Sequence, residues 1–275
     1  VEAKFICVDG NRIRYAEEGK GPPVLLLHGL GASLEWWKLN LKSISQNHRT
    51  IAIDFLGFGF SSKPKEEFNT SLVTRFMHSL LDAFNLDKVI LVGNSFGGYI
   101  ALITALYFPE RVDRVVLVDS VGFGKEISLL LRVASHYPVG ELALATRSRL
   151  TARLMLSRLF YDSKKLPDDL IECTLRVFEQ RQARKICLEV LHQGVDSKGL
   201  KEKIWRPLLE EIPHLSHQTL IIWGVDDKIV PLSQAHRGMA LIKNAHLVIF
   251  EKCGHLPQLE WPDKFNRSVL HFLEL

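Results

Sequence analysis

The chain has little of what marks several protein classes. Its four cysteines, Cys7, Cys173, Cys187 and Cys253, are scattered over 275 residues without a Cys-x-x-Cys pair. That spacing suggests neither a disulfide framework nor a thiolate zinc site, and free thiols in a reducing, cytoplasmic setting are the expectation. No apolar run approaches the roughly twenty residues that span a bilayer, and Val1 to Gly10 has neither the basic start nor the apolar stretch of a signal peptide. A soluble chain without a transmembrane segment is expected. Charge of one sign is not concentrated either: 35 basic and 31 acidic residues are interspersed and give a formal net charge of +4. Nucleic-acid binding is therefore not expected. The densest basic stretch, Arg147, Arg149 and Arg153, is interleaved with Leu150, Leu154 and Leu156 and reads as the solvated face of an amphipathic helix.

What is present is apolar and periodic. With 47% hydrophobic residues the chain can bury a large core as one domain carrying an insertion. Short β-rich runs alternate with helical patterns, the signature of an α/β fold with a mostly parallel sheet and helices on both faces. Eight strands are expected, at Phe5 to Val8, Ile13 to Ala16, Val24 to Leu27, Thr50 to Ile53, Val89 to Val92, Val115 to Val118, Thr219 to Trp223 and Leu247 to Phe250. The first two form a hairpin through Asp9-Gly10-Asn11. Between Val118 and Thr219 no convincing strand appears. Leucine-rich helical segments follow one another there, punctuated by Pro138, Pro167, Pro207 and Pro213. The expected division is a core of residues 1–121 and 217–275 with a helical insertion over 122–216.

Gly93-Asn94-Ser95-Phe96-Gly97-Gly98 follows the run Lys88 to Val92 and precedes a helical pattern from Phe96 to Tyr107. A serine at the tip of such a strand-to-helix turn is a candidate nucleophile, because glycines let the turn close and the helix N-terminus favours a developing oxyanion. A serine hydroxyl needs a histidine to take its proton and an acid to orient that histidine. Two later strand ends supply candidates: Gly224-Val225-Asp226-Asp227 and Gly254-His255. Asp227 and His255 are expected to complete the set, with Asp226 and Asp119 as alternative acids.

The order Ser, Asp, His on strand-end loops resembles the α/β-hydrolase fold superfamily, as do His28-Gly29-Leu30-Gly31, Asp54 to Ser61 as D-x-x-G-x-G-x-S, and Gly224-x-x-Asp227-x-x-x-Pro231. The resemblance implies Ser95 as nucleophile, His255 as general base and then acid, Asp227 as orienting acid, and the backbone N–H groups of Leu30 and Phe96 as oxyanion donors. It also implies that the insertion is a lid, that His28 braces the oxyanion loop and that no cofactor is used. Asp54 is expected to organise its turn. His214 and His217 lack a third ligand at plausible spacing, so no metal site is expected. The loop His28 to Ser33 lacks the spacing of a nucleotide-binding motif.

Serine at the elbow argues against epoxide opening and dehalogenation, which use an aspartate there. Trp36, Trp37, Phe96 and Leu256, together with lid leucines, are expected to line an apolar pocket, so the first reading is a carboxylic ester hydrolase acting on small to medium apolar esters. Gly-Asn-Ser-Phe-Gly-Gly is also similar to the elbow of the meta-cleavage product hydrolases, which cleave carbon–carbon bonds in vinylogous 1,5-diketones. Leu256 departs from that family's tryptophan after the histidine, Gly31-Ala32-Ser33 from its proline-containing loop, and its lid arginine has only Arg176 or Arg181 as counterpart. A ligand receptor on the same scaffold is a third reading.

Overall fold

The computed structural model describes residues 2–145 and 148–274; Arg147, part of the basic stretch noted above, lies outside them. Among the described residues ten strands form: β1 Lys4–Val8, β2 Asn11–Glu18, β3 Pro23–Leu27, β4 Arg49–Ile53, β5 Val89–Asn94, β6 Val112–Val118, β7 Val195–Asp196, β8 Gly199–Leu200, β9 Gln218–Gly224 and β10 Ala245–Phe250. Eight of them make one sheet in the order β1-β2-β4-β3-β5-β6-β9-β10. The hairpin β1–β2 is antiparallel, as is the contact of β2 with β4, and every other neighbour is parallel. Asp9 and Gly10 at the hairpin tip both take positive φ, the conformation that a two-residue turn between twisted strands requires.

The parallel strands are apolar on both faces, and alternate residues enter different cores. Leu25, Leu27, Leu91, Leu117, Ile221 and Trp223 pack under the helices Thr70–Ala83 and Phe96–Tyr107, while Val24, Leu26, Val92, Val116, Leu220 and Ile222 meet Leu34, Trp37, Leu41 and the helix Pro262–Glu274. The period of two thus divides one sheet between two cores, as expected for a sheet covered on both sides.

All eight expected strands are present. Between β6 and β9 lie six helices among the described residues, Leu129–Ala134, Val139–Ala145, Arg149–Ser157, Asp168–Glu179, Arg181–Gly194 and Glu202–Glu211. Two expectations for this stretch need correction. It is not strand-free, because β7 and β8 pair antiparallel as a two-stranded ribbon. Nor does Pro207 end a helix: it sits inside Glu202–Glu211, where it removes one backbone donor without stopping the turn that carries Leu208 into the core.

Candidate active site

Ser95 occupies the bend between β5 and the helix Phe96–Tyr107, with φ 57° and ψ −114°. A non-glycine residue there carries strain of about 1–3 kcal/mol, which persists only where the surroundings enforce it. They do so on three sides. Ser95 N–H donates to Val118 O at 2.9 Å, and its carbonyl accepts from Gly98 N–H at 3.0 Å and Val121 N–H at 3.3 Å. A side chain at Gly93 would run into the Gly97 backbone, and one at Gly97 would run into the Leu27 carbonyl, so the elbow closes only with glycine at both positions. Phe96 is the first helical residue, and its N–H and that of Leu30 are engaged in no loop or turn hydrogen bond among the described residues. Such free donors beside Ser95 suit a developing negative charge.

The loops after β9 and β10 bring the second half of the site. His255 Nδ1 lies 2.7 Å from Asp227 Oδ2, and both side chains are almost wholly buried. Asp227 Oδ1 accepts from the N–H groups of Ile229 at 2.7 Å and Val230 at 3.2 Å, which locks the carboxylate in place. With Nδ1 bound to the acid, Nε2 is left for proton exchange with a hydroxyl. Asp226 takes no part in this pairing; its N–H donates to Cys253 O. Asp119, at the end of β6, is fully buried beside Asp227. The Asp119, Asp227 and His255 groups lie within 4.8 Å of one another, a spacing a cation can bridge. Asp227 already accepts from His255 and two backbone N–H groups, and the hydrogen bond recorded for the Asp119 side chain comes from Gly224 N–H.

Two cavities meet at Ser95. The first, of about 390 Å³, is bounded by Phe96, Tyr99, Leu191 and Ile204, with Asn69, Thr70, Ser71, Gln193 and Lys203 supplying its polar atoms. The second, of about 230 Å³, is lined by Trp36, Leu144, Met155, Leu156, Leu159, Phe178 and Leu188, and also contains His255. Ser95, Leu30, Leu131, Leu191 and Ile229 border both. The two lobes therefore adjoin, with the candidate nucleophile in the wall they share.

The sheet order, the strained serine and the buried acid–histidine pair at the C-terminal edge accord with a family profile, the alpha/beta hydrolase fold, that matches residues 22–262. The chain belongs to the α/β-hydrolase fold family. This α/β hydrolase is 32% identical over 274 residues to the 2-hydroxy-6-oxo-6-(2'-aminophenyl)hexa-2,4-dienoic acid hydrolase of Metapseudomonas resinovorans, covering 98% of this chain and 90% of that one. It is 33% identical to the 2-hydroxymuconate semialdehyde hydrolase of Pseudomonas putida, covering 98% of this chain and 92% of that one. Among solved structures, the meta-cleavage product hydrolase of Pseudomonas fluorescens IP01 superimposes with a TM-score of 0.85 at 31% identity, covering 98% of this chain and 97% of that one. A bacterial membrane phospholipase A gives 0.83 at 26% identity over 99% of this chain and 86% of that one.

Within this α/β hydrolase the expected pocket residues divide. Trp36 and Phe96 line the lobes, but Trp37 and Leu256 do not and are corrected. Trp36 and Trp37 are successive residues of a 3₁₀ turn and point about 120° apart, so only one can face the site. Trp37 packs on Phe265 in the core under the opposite face of the sheet. Leu256 is buried among Phe160, Leu166 and Leu170. Arg176 stacks over Phe60 and Arg181 borders a separate surface cavity, so neither reaches Ser95. His28 is a brace: Nδ1 contacts Gly29 O at 2.8 Å and Nε2 accepts from Phe55 N–H at 3.1 Å, which fixes a neutral ring whose pKa burial lowers. Asp54 accepts from Leu34 and Phe60 N–H at 2.7 Å each and organises its turn. His214 is exposed and His217 is bonded to Pro109 O.

The sequence reading missed Glu260. Its buried carboxylate accepts from Gly254 N–H at 2.7 Å, Asp162 N–H at 2.8 Å and Tyr161 N–H at 3.1 Å, while His255 N–H donates to Leu159 O at 2.7 Å. The segment 159–162 is thereby fastened to the histidine loop. The available signal was an acid standing among Leu256, Pro257, Leu259 and Trp261, five residues after the histidine.

Proposed function

We propose that this chain is a serine hydrolase that cleaves carbon–carbon bonds in vinylogous 1,5-diketo acids. The observation that carries the reading is the placement of Ser95 between a lobe to which Asn69, Thr70, Ser71, Gln193 and Lys203 contribute and a lobe lined mainly by Trp36, Leu144, Met155, Leu156, Leu159, Phe178 and Leu188. Such a site accepts a substrate with an acidic end on one side of the reacting carbonyl and an apolar group on the other. The names of the relatives, a dienoic acid hydrolase and a semialdehyde hydrolase, support the same chemistry.

In this mechanism Ser95 Oγ adds to the ketone carbon as His255 takes its proton, and the oxyanion forms against the Leu30 and Phe96 N–H groups. The carbon–carbon bond breaks with its electrons delocalised as an enolate, which takes the proton from His255 and leaves the imidazole neutral. His255 then takes a proton from water as it adds to the acyl carbon and returns it to Ser95 Oγ as the acid is released. Asp227 orients the ring and stabilises it whenever it is protonated. The helices between β6 and β9 act as a lid that covers the reacting centre.

Ester hydrolysis is the second reading, favoured by one observation: among the described residues no arginine lines either lobe to take a substrate carboxylate. Initial rates on a 2-hydroxy-6-oxo-6-arylhexa-2,4-dienoate and on a p-nitrophenyl ester panel separate the two. The first reading expects higher kcat/KM on the dienoate, with Lys203→Ala raising its KM by about threefold to tenfold and sparing neutral esters. Faster turnover of a neutral ester than of every diketone selects the esterase.

A further inference from the structure

Behind the acid–histidine pair lies a carboxyl group that the mechanism above does not use. Asp119 ends β6 with φ 44°, a conformation that non-glycine residues rarely take, and its side chain is wholly shut off from solvent. One oxygen, Oδ1, accepts from Gly224 N–H at 3.0 Å. The other, Oδ2, has no hydrogen-bond donor among the described residues. A buried ionised carboxylate with an unserved oxygen is costly, and this one has a second carboxylate within reach.

We infer that Asp119 is held as a neutral carboxylic acid that donates its proton to Asp227, so that two adjoining carboxyl groups carry a single negative charge behind His255. Its role as a positioning residue rests on the serine hydrolase reading; its protonation does not. The groups that face it are Asp227 from the loop after β9, and His255, Cys253 and Glu260 from the region after β10, with Lys165 reaching that region through Cys253. Two of these are acids, and among the described residues no lysine or arginine forms an ion pair with Asp119. Burial and then the charge of Asp227 push its pKa well up, against the Gly224 hydrogen bond. Two carboxyls that adjoin in a dry site lower their mutual repulsion by sharing one proton, and the facing oxygens of these two lie within 4.8 Å.

The arrangement gives the acid–histidine pair a reserve. With Asp227 ionised, the Asp119 proton satisfies Oδ2 and helps hold Asp227 toward His255. If Asp227 loses its charge, Asp119 can give up its proton, and it stands within 4.8 Å of the imidazole.

The test reads Ser95 reactivity as the rate of labelling by an aryl phosphonate, which needs no knowledge of the natural substrate, alongside isotope-edited infrared spectra of ¹³C-aspartate protein. Asp119→Asn keeps a donor toward Asp227 and should slow labelling about threefold, whereas Asp119→Ala should slow it about thirtyfold. Asp227→Asn should remain about tenfold faster than the Asp119→Asn/Asp227→Asn double variant, a non-additivity that a purely structural role would not produce. The wild type at neutral pH should show the C=O stretch of a protonated aspartic acid that Asp119→Asn lacks. A wild-type spectrum without that band overturns the inference even if a variant fails to fold. A double variant no slower than Asp227→Asn overturns the reserve role. Absence of labelling in the wild type would instead overturn the hydrolase reading, and the infrared band would still decide the protonation of Asp119.

Discussion

At the scale of residues, two side chains separate the chemistry from its scaffold. Ser95→Ala removes the nucleophile and leaves the oxyanion donors, so turnover of any accepted substrate should fall by about 10⁴ or more, and phosphonate mass should no longer appear on the peptide carrying position 95. Retained turnover would move the nucleophile elsewhere. Glu35 belongs to the support of the oxyanion loop: it pairs with Arg14 at 2.5 Å, and Arg14 also reaches Asp54 at 3.2 Å. Burial works to raise the Glu35 pKa, but hydrogen bonds from Arg14 and Ser33 and the Arg14 charge outweigh it and hold the group at about 2, against an ordinary 4.5. Because the folded-state value is depressed, the stabilisation is complete above pH about 4.5 and is lost as pH falls toward 2. Glu35→Gln should cost at most about 3 kcal/mol near neutrality and flatten the acid limb of the stability curve across that window, as measured by urea unfolding at several pH values.

At the scale of elements, Glu260 is the joint between the insertion and the histidine loop. Glu260→Gln replaces one carboxylate oxygen by a donor and must release at least one of the N–H groups of Gly254, Tyr161 and Asp162. A loss of about 1–3 kcal/mol is expected, with kcat falling more than KM rises, because the His255 loop loosens before the lobes do. An unchanged melting temperature would mean that the clamp contributes nothing. The central strands β3, β5 and β9 were legible from sequence because apolar runs such as Val24–Leu27, Val89–Val92 and Leu220–Trp223, each next to glycine or proline, admit little else, and Ser95, Asp227 and His255 were legible because each follows an apolar run. The insertion was less legible. The ribbon β7–β8 has two residues per strand, too short for any periodicity, and the leucine-rich stretch after Pro138 carries two helices, Val139–Ala145 and Arg149–Ser157, the second opened by a Ser148–Thr151 capping box. Trp37 and Leu256 were misplaced for a related reason: adjacency to a functional residue in sequence does not determine the side to which a neighbour points.

At the scale of the whole molecule, apolar surface is unevenly distributed. Leu129, Leu130, Val133, Tyr137, Leu142, Leu150, Leu154 and Met155 are all exposed, and all belong to the segment between β6 and β9. Segments that bury so little of their apolar area against the sheet have low local stability. Hydrogen exchange should be faster across residues 129–157 than in β5 or β6, and should slow when a phosphonate occupies Ser95. The clamped residues 159–162 should stay protected throughout. Uniform slow exchange across the insertion would make it a rigid roof with a standing channel.

The distance along the chain between the parts of the site has a consequence for biosynthesis. Ser95 stands in the middle of the sheet, whereas the histidine that would activate it is 160 residues later, on the loop that follows the edge strand β10, which pairs only with β9. At ordinary elongation rates of about 5–20 residues per second, roughly ten to thirty seconds separate the two on the ribosome. During that interval the elbow lacks β6, whose Val118 carbonyl fixes the serine backbone, and then lacks its base. A nascent chain should therefore carry an inert serine until β9 and β10 have added themselves to the sheet, and reactivity toward phosphonate should switch on only when synthesis has passed His255.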